Sequence, residues 1–258
     1  MLTAYATDAG TVKEINQDSC LIMEARVEED DLDFAAVCDG MGGLKSGELA
    51  STSMAEDLKG WFEKTVAGLP YGGLARKDLI SSLNEAILWA DRKLRRYREQ
   101  YGECGTTVAG VILYRGRYLC VNVGDSRVYR IGKDGIQQLT HDQTVAQQML
   151  DNGEITKKEA AEHPGQSILL QCVGAGGEVV PDYTWDVYEE GDTFLICSDG
   201  FRHKYSEKEM RSAFHTGKTA SEDEMKKAAK KAIDKIKSRG ERDNITVVLV
   251  AAKEQADA

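Results

Sequence analysis

Proline is scarce in this chain, with three residues in 258. That argues against a Pro-rich linker or a long extended tail. Paired cysteines are missing too. Cys20, Cys38, Cys104, Cys120, Cys172 and Cys197 never stand as Cys-x-x-Cys, and only four histidines accompany them. A zinc site wants clustered Cys and His, and none is visible. Most of the cysteines lie in apolar runs, so they read as buried, reduced thiols of a cytoplasmic protein. No apolar stretch reaches membrane-spanning length, and Met1-Leu2-Thr3-Ala4-Tyr5 carries no basic segment leading into an apolar one, so neither a signal peptide nor a membrane is expected. Positive charge is also short: 33 Lys and Arg face 43 Asp and Glu, a net charge of −10. Nucleic acid, which needs a cationic surface, is not an expected partner. An acidic chain that handles phosphate must neutralise charge locally, and a bound cation is the obvious means.

What the chain has in quantity is glycine placed after apolar runs. Residues 33–38 read as a buried strand running into Asp39-Gly40-Met41-Gly42-Gly43, and residues 118–123 as another ending in Gly124-Asp125. Thr193–Cys197 is followed by Ser198-Asp199-Gly200, and Asp243-Asn244 precedes the β-branched run 245–250. Between them lie helices. Leu79, Leu83, Ala86, Ile87, Ala90, Leu94, Tyr97 and Tyr101 form one apolar stripe, and Leu58, Trp61, Phe62 and Val66 end a helix before it. Met225, Ala228, Ala229, Ala232, Ile233 and Ile236 mark a late helix, with Ser221 and Glu224 as its capping box and Ser206 with Glu209 as another. Arg115-Gly116 and Lys133-Asp134-Gly135 are hairpin signals. Consecutive hairpins with one-sided helices predict antiparallel sheets covered by helices. The stretch 143–166 is polar and reads as a surface insertion.

The chemistry lies in the carboxylates. Asp39, Asp125, Asp199 and Asp243 each sit at the edge of an apolar strand beside Gly or Asn. One Asp-Gly at a strand end is ordinarily a turn. Four such edges, if they converge, would repel one another unless a cation held them. The donors on offer are then carboxylates, backbone carbonyls and water, the hard-oxygen set of magnesium or manganese rather than zinc or copper. Two such ions bridged by a carboxylate and a water suit phosphoryl displacement. The basic run Arg202-His203-Lys204 reads as a solvated loop, and His141, His163 and His215 as ordinary surface or structural histidines.

The Asp39-Gly40-Met41-Gly42-Gly43 segment, followed by Ser46-Gly47-Glu48, resembles the metal motif of the bacterial type 2C (PPM) metal-dependent Ser/Thr protein phosphatases. Asp8-Ala9-Gly10, then Lys13, Asn16, Gln17 and Asp18, resemble the N-terminal motif of that family. Gly105-Thr106-Thr107, Gly124-Asp125-Ser126-Arg127, Leu139-Thr140-His141-Asp142, Ser198-Asp199-Gly200 and Asp243-Asn244-Ile245-Thr246 follow in family order. The resemblance covers about residues 3 to 250. It implies an α+β fold, a four-layer α-β-β-α sandwich with two antiparallel sheets flanked by helices, as one phosphatase domain over 1–258 with a flap at about 143–166. It implies that Asp39 bridges two manganese or magnesium ions, that the Gly40 carbonyl binds one of them, and that Asp199 and Asp243 hold the other. Asp125 with Asp199 would match a weaker third site, and Asp18 would act at or near the pair through water. Lys13 and the metals would hold the phosphate, and water bridging the ions would attack phosphorus in phosphoserine or phosphothreonine of a protein. The expected setting is a bacterial cytoplasm, opposing a Ser/Thr kinase.

Three residues depart from the family pattern. Gln17 stands where the family has Glu, a ligand of the second metal directly or through water. Lys13 replaces an Arg, keeping the charge without the bidentate fork. Gln143 follows Asp142 where a His is frequent. Gln17 and Lys13 motivate an alternative, a weakly active or inactive pseudophosphatase that binds phosphoproteins. A further alternative is an enzyme of the same fold acting on a small phosphorylated molecule.

Overall fold

A computed structural model describes residues 1–27, 29–42, 46–68, 75–218 and 220–252, with Tyr101 and Thr216 described by backbone alone. Gly43 of the predicted metal motif lies outside the described residues. In chain order the strands are β1 (Leu2–Asp8), β2 (Asp18–Val27), β3 (Asp30–Gly42), β4 (Cys104–Thr106), β5 (Val108–Tyr114), β6 (Arg117–Val123), β7 (Arg127–Gly132), β8 (Gly135–Gln138), β9 (Asp182–Val187), β10 (Thr193–Cys197) and β11 (Ile245–Ala251). The helices are α1 (Ser46–Ala67), α2 (Arg76–Tyr101), α3 (Val145–Asp151), α4 (Lys157–Ala160), α5 (Asp199–His203), α6 (Glu207–Phe214) and α7 (Glu222–Ser238).

The strands form two sheets, ordered β1-β11-β10-β7-β8 and β2-β3-β5-β6-β9, with β4 pairing the end of β3. Every pairing is antiparallel. The apolar runs follow from burial on both faces of each sheet. Along β3, Phe34, Ala36 and Cys38 face the core under α1 and α2, while Ala35 and Val37 face the other sheet. Along β11, Val247 and Leu249 face the core under α7, while Val248 and Val250 face inward between the sheets. A period of two with both faces apolar yields an unbroken hydrophobic run. Three apolar layers between four structural layers confirm the expected α-β-β-α sandwich.

The predicted helical stripes are buried as expected: Leu79, Leu83, Ile87, Ala90 and Leu94 on α2, and Met225, Ala229, Ala232, Ile233 and Ile236 on α7. Ser221 caps α7 by accepting the Glu224 N–H at 3.3 Å. The Glu209 carboxylate accepts both the N–H and the hydroxyl of Ser206 at the start of α6. Arg115 and Gly116, both at positive φ (49° and 69°), close the β5–β6 hairpin. The six cysteines are free, five of them buried. Among the described residues no helix is long and apolar enough to cross a membrane.

Candidate active site

The four strand-edge aspartates reach one cleft of about 450 Å³, lined also by Lys13, Gln17, Gly40 and Met41. They come from both sheets: Asp39 near the end of β3, Asp125 after β6, Asp199 after β10 and Asp243 before β11. Asp18 opens β2 directly opposite Asp39 in the strand register. Convergence is visible electrostatically. Burial raises the Asp39 carboxyl well above its ordinary value, and the charges of Asp18, Asp199, Asp125 and Asp243 push it further. Burial likewise lifts Asp18 to about 7, with Asp199 and Asp243 adding to the rise. Such a cluster favours either protons or a cation.

The backbone around Asp39 is held from several sides. Its N–H donates to the Thr107 hydroxyl (3.0 Å), and its carbonyl accepts from the Thr106 hydroxyl (3.0 Å) and the Thr107 N–H (2.9 Å). This accounts for Gly105-Thr106-Thr107 as a motif without a charge. Gly40 donates its N–H to the Gln17 carbonyl (3.1 Å), and a Cβ there would lie 2.1 Å from the Gly47 carbonyl. A Cβ on Gly200 would meet the Asn244 carbonyl at 2.1 Å. Both positions require glycine because backbone packs on backbone beside the acids.

Gln17 is 9% exposed, its side chain stacked on Gly47. Its N–H donates to Asn244 Oδ1 (2.9 Å), and Asn244 Nδ2 donates to the carbonyls of Ala9 (3.0 Å) and Ile15 (3.1 Å). Asn244 thus pins the loop carrying Lys13 and Gln17 against the start of β11. Asp18 Oδ2 accepts the Ser198 hydroxyl (2.8 Å), while Asp18 Oδ1 is buried without a hydrogen-bond partner. Lys13 Nζ lies 3.3 Å from Asp243 Oδ1, with both side chains 45% exposed at the cleft rim. Glu241, another lining residue, accepts the N–H groups of Arg242 (2.8 Å) and Asp243 (3.1 Å) and sets the turn before β11.

The donor set fits divalent cations of the hard kind. Asp18 Oδ1 and Asp199 Oδ1 are buried acceptors that no protein donor reaches, and a cation with its waters would satisfy them. Among the described residues no three His, Cys, Asp or Glu side chains form a ready-made cage. Magnesium and manganese suit such a site, because they keep several waters and use few protein ligands.

The structure corrects the reading of Arg202-His203-Lys204 as a solvated loop at Arg202, while Lys204 and part of His203 are exposed. The Arg202 side chain is 8% exposed; its Nη2 lies 3.0 Å from Asp125 Oδ2 and 3.6 Å from Asp142 Oδ2. His203 Nε2 is 3.6 Å from Asp199 Oδ2 and its Nδ1 3.7 Å from Glu241 Oε2. Burial first, and the Arg202 charge second, lower its basicity. Two further motifs join through Arg127, whose Nε and Nη2 grip Asp142 at 2.8 and 2.6 Å. Gln143 is an anchor beneath the insertion: its Oε1 accepts the Gly124 N–H (2.7 Å) and its Nε2 donates to Asp182 (2.8 Å). The insertion contains α3 and α4 and is tied back by a bridge between Thr144 and Leu169. Ser167 and Leu169 bring it to the cleft wall. Sequence reasoning missed Glu241 and the inward turn of Arg202, and Asn244 stood in the Asp243-Asn244-Ile245-Thr246 motif without a role.

A helix-flanked β-sandwich with an aspartate-lined cleft at one edge of its sheets defines the metal-dependent phosphatase class. The family model for protein phosphatase 2C matches residues 9–236. The serine/threonine phosphatase stp of Listeria innocua is 32% identical over 253 residues, covering 97% of this chain and 95% of that protein. The serine/threonine phosphatase of S. agalactiae superimposes with a TM-score of 0.83 at 25% identity, over 97% of this chain and 99% of that one. The catalytic domain of PstP in complex with two manganese ions superimposes with a TM-score of 0.77 at 26% identity, over 98% of each chain. The chain belongs to the protein phosphatase 2C family.

Proposed function

We infer that the cleft hydrolyses phosphoserine and phosphothreonine in proteins, with two manganese or magnesium ions as cofactors. The observation that carries this reading is the meeting of acceptor-only oxygens from both sheets at one cleft. Asp39, the Gly40 carbonyl, Asp199, Asp243 and the Gln17 amide are the groups that would hold the ions. When bound, the pair supplies an activated water and charge stabilisation for in-line displacement at phosphorus. The protein's own contribution is placement. Ser198 fixes one oxygen of Asp18 and leaves the other free to accept a water proton. Lys13, at the open rim beside Asp243, would offer its ammonium to phosphate oxygens. Thr106, Thr107 and Asn244 hold Asp39 and Gln17 in place.

The reading extends to one phosphatase domain with its flap at about 143–166, working in the cytoplasm and opposing a Ser/Thr kinase. Turnover of a phosphothreonine peptide should require manganese or magnesium, stop with EDTA and return with added metal. Full activity in chelator would refute the mechanism. Tight phosphopeptide binding without turnover, in saturating manganese, would establish the pseudophosphatase alternative.

A further inference from the structure

We propose that Arg202 is the resident cation of the Asp125 corner, so that this chain binds two divalent ions and has no place for a third. The inference rests on the two-ion reading of the cleft and fixes its count. The geometry is that of a filled site. Arg202 Nη2 donates to both the Asp125 carboxylate (3.0 Å) and the Asp125 backbone carbonyl (3.3 Å). A carboxylate and a carbonyl are the donors a hard cation would use. The two side chains are 6% and 8% exposed, so the pair is shielded from solvent and from screening.

The neighbouring acid is already paired. Arg127 already grips Asp142 with two nitrogens. Asp125 and Asp142 therefore face two guanidiniums. Arg202 stands three residues after Asp199 on α5. It occupies Asp125, one of the two carboxylates to which the family resemblance gives a third ion. A divalent cation entering here would meet a positive charge in place. It would have to expel a buried guanidinium from Asp125. A guanidinium also stays charged at any working pH. The charge of Arg202 is consequently independent of pH and of divalent-ion supply.

The test is a count of ions. Crystals of the wild-type protein grown in millimolar manganese should show two anomalous peaks in the Asp39 cleft and none beside Asp125. A manganese peak within direct coordination distance of an Asp125 oxygen would overturn the proposal. Native mass spectrometry should give two manganese ions for the wild type and three for Arg202→Met, which keeps an unbranched, shorter side chain and removes its charge. Folded Arg202→Met that stays at two ions would overturn it as well. Should that variant fail to fold, Asp125→Asn and the wild-type crystals decide. Asp125→Asn should still hold two ions, and loss of an ion from it would show Asp125 to be a ligand. Wild type with no ion at Asp39 would instead overturn the two-ion reading, and this count with it.

Discussion

Replacing Gln17 by glutamate adds one negative charge to a cleft already crowded with carboxylates, and its effect should reverse sign when metal binds. The side chain is 9% exposed and lines the cleft with Asp39 and Asp243. At an effective dielectric of about 20, a new charge about 5 Å from a divalent ion gains roughly 7 kcal/mol, while each carboxylate at a similar distance opposes it by about 3 kcal/mol. That repulsion acts with or without metal. It lowers affinity only through the proton it drives onto the new glutamate, which the ion must displace. The waters a divalent ion keeps screen much of the remaining gain. The surplus expected is about 0.7–2 kcal/mol, or roughly 3–30-fold in metal affinity. Without metal only the repulsion remains, so the metal-free variant should be less stable than wild type. In saturating manganese the tighter binding should widen the metal-induced rise in Tm by about 2–6 °C, at roughly 2–4 °C per kcal/mol for a chain of this size. The assay is a manganese titration of phosphopeptide turnover, paired with thermal unfolding in EDTA and in manganese. Superimposable titrations and equal Tm shifts would refute the reasoning and place Gln17 outside the metal shell.

Asp39→Ala and Asp199→Ala should each lose at least about 100-fold in turnover, the scale of about 2.7 kcal/mol for losing a main charge-stabilising element. In EDTA both should melt no lower than wild type, because each removes a buried, repelled carboxyl; near-normal turnover would show the site to be wrong. The metal-free protein should lose stability as pH rises. Burial pushes Asp18 and Asp125 up to about 7 and Asp33 to about 6, so the folded chain holds these protons more tightly than the unfolded one. That stabilisation is complete below about pH 4 and disappears as pH passes 7. Tm in EDTA should therefore be higher at pH 5.5 than at pH 8, with manganese narrowing the difference. Asn244→Ala frees the Gln17 N–H and the carbonyls of Ala9 and Ile15. It should cost about 2–4 kcal/mol in urea unfolding, several lost buried hydrogen bonds at about 1 kcal/mol each, and weaken manganese binding.

Local pattern decided much of this protein. Strand β10 occupies the predicted Thr193–Cys197, and α2 and α7 bury the predicted stripes. Those features depend on hydrophobic periodicity and burial, which each segment carries in its own residues. The Asp-Gly strand ends were equally legible, because a charge beside an apolar run is a local contradiction. What the strand-edge acids share could be decided only by the tertiary structure. Asp18 faces Asp39 through the register of β2 and β3, and Asp243 reaches them from the other sheet. Arg202 looked like part of a wet basic loop, yet α5 turns its guanidinium inward onto Asp125. Asn244 looked like a turn residue, yet its amide closes three hydrogen bonds to chain more than 200 positions away. Gln143 looked like the start of a polar insertion, yet it is the buried peg beneath it. A polar side chain can be satisfied by water or by a distant backbone, and the sequence around it is the same in either case. Only the packing of the two sheets determines which partner it meets.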